Sequence, residues 1–163
     1  MATALGGAVC NLVTRPVVAA IEVRPVPAAQ TRALRQAVLR PHQSVGEMHA
    51  SEPDRAYAVG AFDGDRLVAV GLIGPDADAN AGSWRVRGMA TDPPSQGRGF
   101  GTAVLAALLE HARAGQARRV WCTVRTPARS LYERAGFRAL SDEFEIPQIG
   151  PHLVMELVLD GDG

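Results

Sequence analysis

The stretch Gln96-Gly97-Arg98-Gly99-Phe100-Gly101 has the residue types and spacing to do chemistry. It follows an apolar run that ends near Thr91 and a corner at Pro93-Pro94. It opens directly into Val104 to Ala112, whose apolar residues recur at helical spacing. Glycines at alternate positions let successive backbone N–H groups point into one concavity. A helix starting there adds unpaired donors and the positive end of its dipole. Such a corner holds a phosphate or a pyrophosphate.

What the loop lacks narrows the anion. A Walker loop needs Gly-Lys followed by Ser or Thr, and the chain has no lysine, which argues against a nucleoside triphosphatase. A dinucleotide fingerprint needs G-x-G-x-x-G and an acid about 20 residues on. Here Gly99 and Gly101 are followed by Val104, and Arg118 to Arg125 contains no acid, which argues against a nicotinamide enzyme.

The remaining pattern, Gln-x-x-Gly-x-Gly at a strand-to-helix corner, resembles the acyl-CoA pyrophosphate loop of the GNAT family of N-acetyltransferases. A second segment, Thr126 to Phe137, resembles the same family through Ala128, Tyr132, Gly136 and Phe137. Together the likeness covers roughly residues 21 to 159. Where the family often has Asn, seven residues before the tyrosine, this chain has Arg125. Leu34 to Pro41 and Glu143 to His152 further resemble a bacterial subgroup reading LR-x-x-V-L-R-P and E-F-x-I-P-x-I-G-P-H.

The resemblance implies an α/β fold with a mixed, mostly antiparallel sheet of six to seven strands, flanked by helices and splayed at its central strands. It implies that Met89, Ala90 and Thr91 pair with the pantetheine arm like an added strand and polarise the thioester carbonyl. Gln96, Gly97, Arg98, Gly99, Phe100, Gly101 and Thr102 would hold the pyrophosphate, and Tyr132 would border the cofactor and protonate the departing sulfur. A core tyrosine with a satisfied hydroxyl is the plainer reading of Tyr132. Glu143, Glu145 and His152 are candidates for the base; His152 stands out because imidazole titrates where an amine must be unloaded. Each also reads as an ordinary strand residue. Arg85 and Arg87 suit either a carboxylate on the acceptor or surface pairing. His42, His49 and Glu110-His111 have no metal-ligand spacing, so no metal is expected.

The expected activity is transfer of an acetyl group from acetyl-CoA, as co-substrate, to an amine in a ternary complex. A non-catalytic acyl-CoA-binding sensor is the alternative, and an unrelated phosphate-binding protein comes third. Seventeen basic residues, all arginine, balance seventeen acids over 163 residues. No field is expected to gather nucleic acid or a membrane surface. Cys10 and Cys122 form no disulfide framework, no apolar run reaches the ~18 residues of a membrane span, and residues 1–14 have no charged region of a signal peptide. A bacterial cytoplasmic monomer or homodimer is expected, with acetyl-CoA and an amine acceptor as partners.

Several elements must position these residues. Residues 1–19 read as a weakly ordered extension, and the domain as 20–160. Ile21 to Val26 alternates as a strand, and a helix runs from Pro27 through Leu39 with Leu34, Val38 and neighbouring alanines inward. Pro41 to Arg55 allows a short helix or an acceptor-side loop. Ala56 to Ile73 is a hairpin around Asp63-Gly64-Asp65, its second strand covered on both faces. Trp84 to Thr91 alternates Arg85, Arg87, Met89 and Thr91 against Trp84, Val86, Gly88 and Ala90. Arg119 to Arg125 is a strand, Thr126 an N-cap and Pro127 the first residue of a helix ended by Gly136. Phe137 to Ile146 and His152 to Leu159 make the last two strands.

Overall fold

The computed structural model describes residues 20–53, 55–76 and 79–159; the expected extension over residues 1–19 lies outside them. Strand β1 (Glu22–Pro25) pairs antiparallel with β2 (Tyr57–Asp63), which turns through Gly64 at φ +61° into β3 (Arg66–Pro75). β3 is buried on both faces, as its continuous apolar run requires. β4 (Ser83–Thr91) returns antiparallel to β3. A 3₁₀ turn (Pro93–Ser95) and the crossover helix α3 (Phe100–Ala114) then bring β5 (Arg119–Arg125) parallel to β4. The chain closes with a 3₁₀ turn (Thr126–Ala128), α4 (Arg129–Arg134), β6 (Arg138–Ala139), β7 (Phe144–Ile146) and β8 (Gly150–Val158). One mixed sheet results, in the order β1-β2-β3-β4-β5-β8-β6, with β7 also on β8.

Two helices cover the faces. α3 buries Val104, Leu105, Leu108, Leu109 and Ala112 against β2, β3 and β4 and ends at Gly115. The large apolar side chains of this stripe each contribute about 1.5–3 kcal/mol by leaving water. The opposite face carries α1 (Ala28–Leu39), packed on β3 and β4, and then the one-turn helix α2 (Glu47–Ala50).

α1 departs from expectation. Its inward stripe contains Thr31, Leu34, Arg35 and Val38, but the fully buried members are Thr31 and Arg35. The arginine is tolerated there because Glu52 accepts a hydrogen bond from its Nη1 at 2.7 Å. Its Nη2 donates to the Met48 carbonyl and Ser51 Oγ, both at 3.2 Å. Glu52 also accepts two bonds from Arg32 and lies beside His49. Arg32 foremost, then Arg35 and His49, hold its carboxyl down at about 2, against a desolvation that pushes the other way. A carboxylate depressed from 4.5 to about 2 stabilises the fold fully above pH 4.5 and loses that contribution as the pH falls toward 2. Urea titrations at pH 6 and pH 3 should show acid weakening of the fold, and less of it in Glu52→Gln; equal pH dependence of the two proteins would contradict this.

β4 also differs, at a bulge. Val70 pairs with Ala90 and Leu72 with Arg87, so Gly88 and Met89 together face the single residue Gly71. Gly88 has φ +62°, and a Cβ there would lie 2.6 Å from Arg35 Nε and 2.9 Å from Leu72 Cδ1. The extra residue reverses the alternation. Arg85 and Arg87 face the α1 side, whereas Met89 reaches the α3 side, its Sδ beside Gly71 with Leu108 and Val104, and Thr91 meets Gly101. Gly88→Ala combines left-handed backbone strain with overpacking and should cost about 2–5 kcal/mol. A melting temperature equal to that of the parent would show that the bulge relaxes freely.

Two further expectations are corrected. The strand foreseen over Phe137 to Ile146 is broken into β6 and β7, which pair with separate parts of β8; this raises the count among the described residues to eight strands. Thr126 does not cap a helix. It begins a 3₁₀ turn, and its hydroxyl donates instead to Glu143 at 2.8 Å.

Candidate active site

β4 and β5 pair only over Ser83–Arg85 and Arg119–Trp121, then diverge. β5 stays paired with β8 along its whole length, from Arg119 opposite Val158 to Arg125 opposite His152, so β4 is left without a neighbour on that side from Val86 onward. A cleft of about 530 Å³ occupies the opening. Its walls include Met89, Ala90 and Thr91 of β4, Gln96, Gly97 and Gly101 of the glycine loop, and Tyr132 of α4.

The loop is shaped by glycine where L side chains fit poorly: Gly97 has φ +75° and Gly99 has φ +91°. Gly99 is the N-cap of α3 and no side chain caps the helix. The first-turn N–H groups therefore remain available for an anion, with the helix dipole behind them. No atom lies within 4 Å of a Cβ placed on Gly97. These features fit a pyrophosphate. Gln96 Nε2 donates to the Thr91 carbonyl at 3.1 Å, which ties the loop to the strand end. Arg98 turns to the hairpin and pairs with Asp63 at 2.9 Å, and Phe100 is buried in the core, so its side chain is not open to a ligand. Thr102 is on the exposed side of α3 and, like Arg98, Gly99 and Phe100, is not part of the cleft wall.

Tyr132 is buried, packs edge-on against Phe137, and lines the cleft. Burial raises its proton affinity well above the ordinary phenol value, with nearby Cys122 adding to it. Its hydroxyl makes no hydrogen bond to any described residue. His152 is buried too, and its Nδ1 lies 2.7 Å from the Gly150 carbonyl. A carbonyl only accepts, so Nδ1 carries a proton, and Nε2 is the nitrogen left to exchange one. Glu143 is not brought to this cleft: it is exposed, bonded to Thr126, and borders a separate surface hollow with Arg129 and Ser141. Glu145 is likewise exposed, at the edge of the sheet opposite Pro151.

A second cavity, of about 570 Å³, adjoins the first on the α1 side. The two share Leu39, Arg40, Val86, Arg87, Gly88, Thr123 and His152 as walls. The end of α1 was missed as part of the site, although Leu39-Arg40-Pro41 belonged to a recognised segment. Arg125 shows why it sits there. Its Nη2 donates to the Leu39 carbonyl, satisfying an end group of α1 and fastening β5 to that helix. Burial lowers the pKa of Arg40, Arg85 and Arg125, and for Arg40 and Arg85 another arginine nearby adds to the effect.

A strand pair opened over an uncapped helix N-terminus, with a buried phenol beside it, defines a class of acyl-CoA-binding proteins. The Acetyltransferase (GNAT) family pattern matches residues 20–137, and the chain belongs to that family. It is an acetyl-CoA-dependent N-acetyltransferase. The chain is 27% identical over 140 residues to the uncharacterized N-acetyltransferase YitI of Bacillus subtilis (strain 168), covering 83% of this chain and 94% of that protein. Among solved structures it is similar to the ribosomal-protein-S18-alanine N-acetyltransferase of Escherichia coli. That likeness has TM-score 0.70 and 16% identity, over 88% of this chain and 96% of that one. A Bacillus subtilis acetyltransferase in complex with CoA matches with TM-score 0.66 and 16% identity, over 85% and 99% of the two chains. No helix among the described residues is long and apolar enough to cross a membrane.

Proposed function

We propose that one domain, over residues 20–160, transfers acetyl from acetyl-CoA to an amine by direct attack in a ternary complex, without a metal or a covalent enzyme intermediate. The observation that carries this reading is the separation of β4 from β5, which exposes main chain beside both Tyr132 and the glycine loop. Bound acetyl-CoA supplies the acyl group as a thioester.

The residues divide the work. The loop from Gln96 to Thr102 holds the pyrophosphate through the main-chain N–H groups that follow Gln96, and those of Met89 to Thr91 pair with the pantetheine arm and polarise the carbonyl. His152 Nε2 takes a proton from the acceptor ammonium, leaving a nitrogen lone pair. The C–N bond forms as the C–S bond breaks, and the electron pair of the broken bond leaves on sulfur. Tyr132 holds its phenolic proton for that sulfur. The second proton of the reacting nitrogen makes good the one Tyr132 gives up, and the first passes from His152 to solvent.

Titration calorimetry with acetyl-CoA, followed by release of free thiol with a panel of amines, tests the proposal. Saturable binding and amine-dependent thiol release are expected. Absence of binding would overturn the cofactor site, and tight binding without turnover would make the protein a sensor.

A further inference from the structure

The second cavity has an unusual charge. Arg35, Arg40, Arg85 and Arg87 line it, against one acid, Glu47, whose carboxylate is bonded to the Ser44 N–H at 2.6 Å. Glu52 answers Arg35. None of Arg40, Arg85 and Arg87 forms an ion pair with a described carboxylate. Asp76, which accepts from Trp121 Nε1 at 2.8 Å, offsets part of the charge on Arg85 through its field. The guanidinium carbon of Arg85 lies over the Trp121 ring, 4.2 Å from its centre, and its Nε is buried without a partner. Stacking fixes the plane of a guanidinium and leaves its edge to a planar anion.

We propose that the acceptor is a small amine bearing a carboxylate, and that Arg85, Arg87 and Arg40 receive that carboxylate on the α1 side while the amine faces His152. The inference rests on the acetyltransferase reading and names the substrate class for the same site. Three observations converge on it. The arginines cluster at one cavity, they lack described carboxylate partners, and Arg40 and Arg87 also line the cofactor cleft. The bulge at Gly88 is what separates the roles, because it sends Arg87 to one face and Met89 to the other. A polyamine would bring more positive charge to this wall, which disfavours it.

The test uses matched pairs that differ only in the carboxylate: L-phenylalanine with phenethylamine, L-arginine with agmatine, and L-leucine with isopentylamine. Acetyl-CoA binding is measured first, so failure of the cofactor site is seen separately. With binding intact, at least one acid should be acetylated, and its kcat/KM should exceed that of its decarboxylated partner by roughly 10- to 100-fold, the effect of a charge-assisted hydrogen bond. Arg87→Gln should raise KM for that acid by a similar factor, more than it changes kcat, and shrink the preference within the pair. Arg87→Lys should restore part of it. Decarboxylated amines used equally well or better would overturn the carboxylate site while sustaining the enzyme. Acetyl-CoA binding with no acid acetylated, or an Arg87→Gln protein that binds acetyl-CoA and keeps the parental preference, would overturn it as well.

Discussion

Tyr132→Phe is expected to lower kcat by about 10²- to 10⁴-fold, the usual contribution of a general acid, while acetyl-CoA affinity stays close to that of the parent. Phenylalanine keeps the ring and its edge contact with Phe137 and removes only the oxygen. Burial keeps the phenol protonated, and its hydroxyl has no described protein partner, so the proton is free for a ligand in the cleft. A thiol of pKa about 8.5 still departs unaided at a reduced rate. The variant should therefore be slow rather than dead, and its deficit should narrow with acetyl thioesters of more acidic thiols. Turnover equal to the parent's would remove Tyr132 from the mechanism; a constant deficit across thioesters would assign it to positioning.

Arg35→Leu should cost a large part of the stability of the fold. Removing one member of a buried ion pair leaves the other uncompensated, typically at about 3–5 kcal/mol. Arg32 and His49 still serve Glu52, so the lower end of that range is expected. Because Arg35 also touches the Gly88 position and lines the second cavity, acceptor KM should rise along with the loss of melting temperature. The double variant Arg35→Leu, Glu52→Leu should regain part of the loss, since apolar replacement of both partners removes the stranded charge. A double variant less stable than the single would mean that Glu52 serves Arg32 more than Arg35.

The Gln96-to-Gly101 loop and the α3 stripe were legible in the sequence because both are local. Glycine is needed where φ is positive, at Gly97 and Gly99, and a helical period over Val104 to Ala112 marks which face turns inward. The β2–β3 hairpin was legible for the same reason, through Gly64 and a run buried on both faces. Tyr132 and His152 were found as types and neighbours of motifs; the cleft that gathers them was expected from family likeness. What failed to show was set by contacts between distant residues. No residue pattern in β4 announces a bulge, yet one extra residue exchanges the faces of everything after it, and so sends Met89 and Arg87 to opposite faces of the strand.

Arg35 was not foreseen as an inward residue, because the acid that answers it lies 17 residues away, beyond α2. Glu143 stood beside His152 among the candidate bases, since both lie in the terminal segment. Only the pairing of β7 and β8 decides which is buried against the cleft and which bonds to Thr126 in solvent. The sequence by itself determined the glycine corner, the longer helices and the β2–β3 hairpin, since backbone conformation and burial period are encoded within a few residues. The tertiary structure alone decided which side chains share a cavity and which charges remain without a described partner, because those depend on sheet register and on long-range pairs that local spacing does not record.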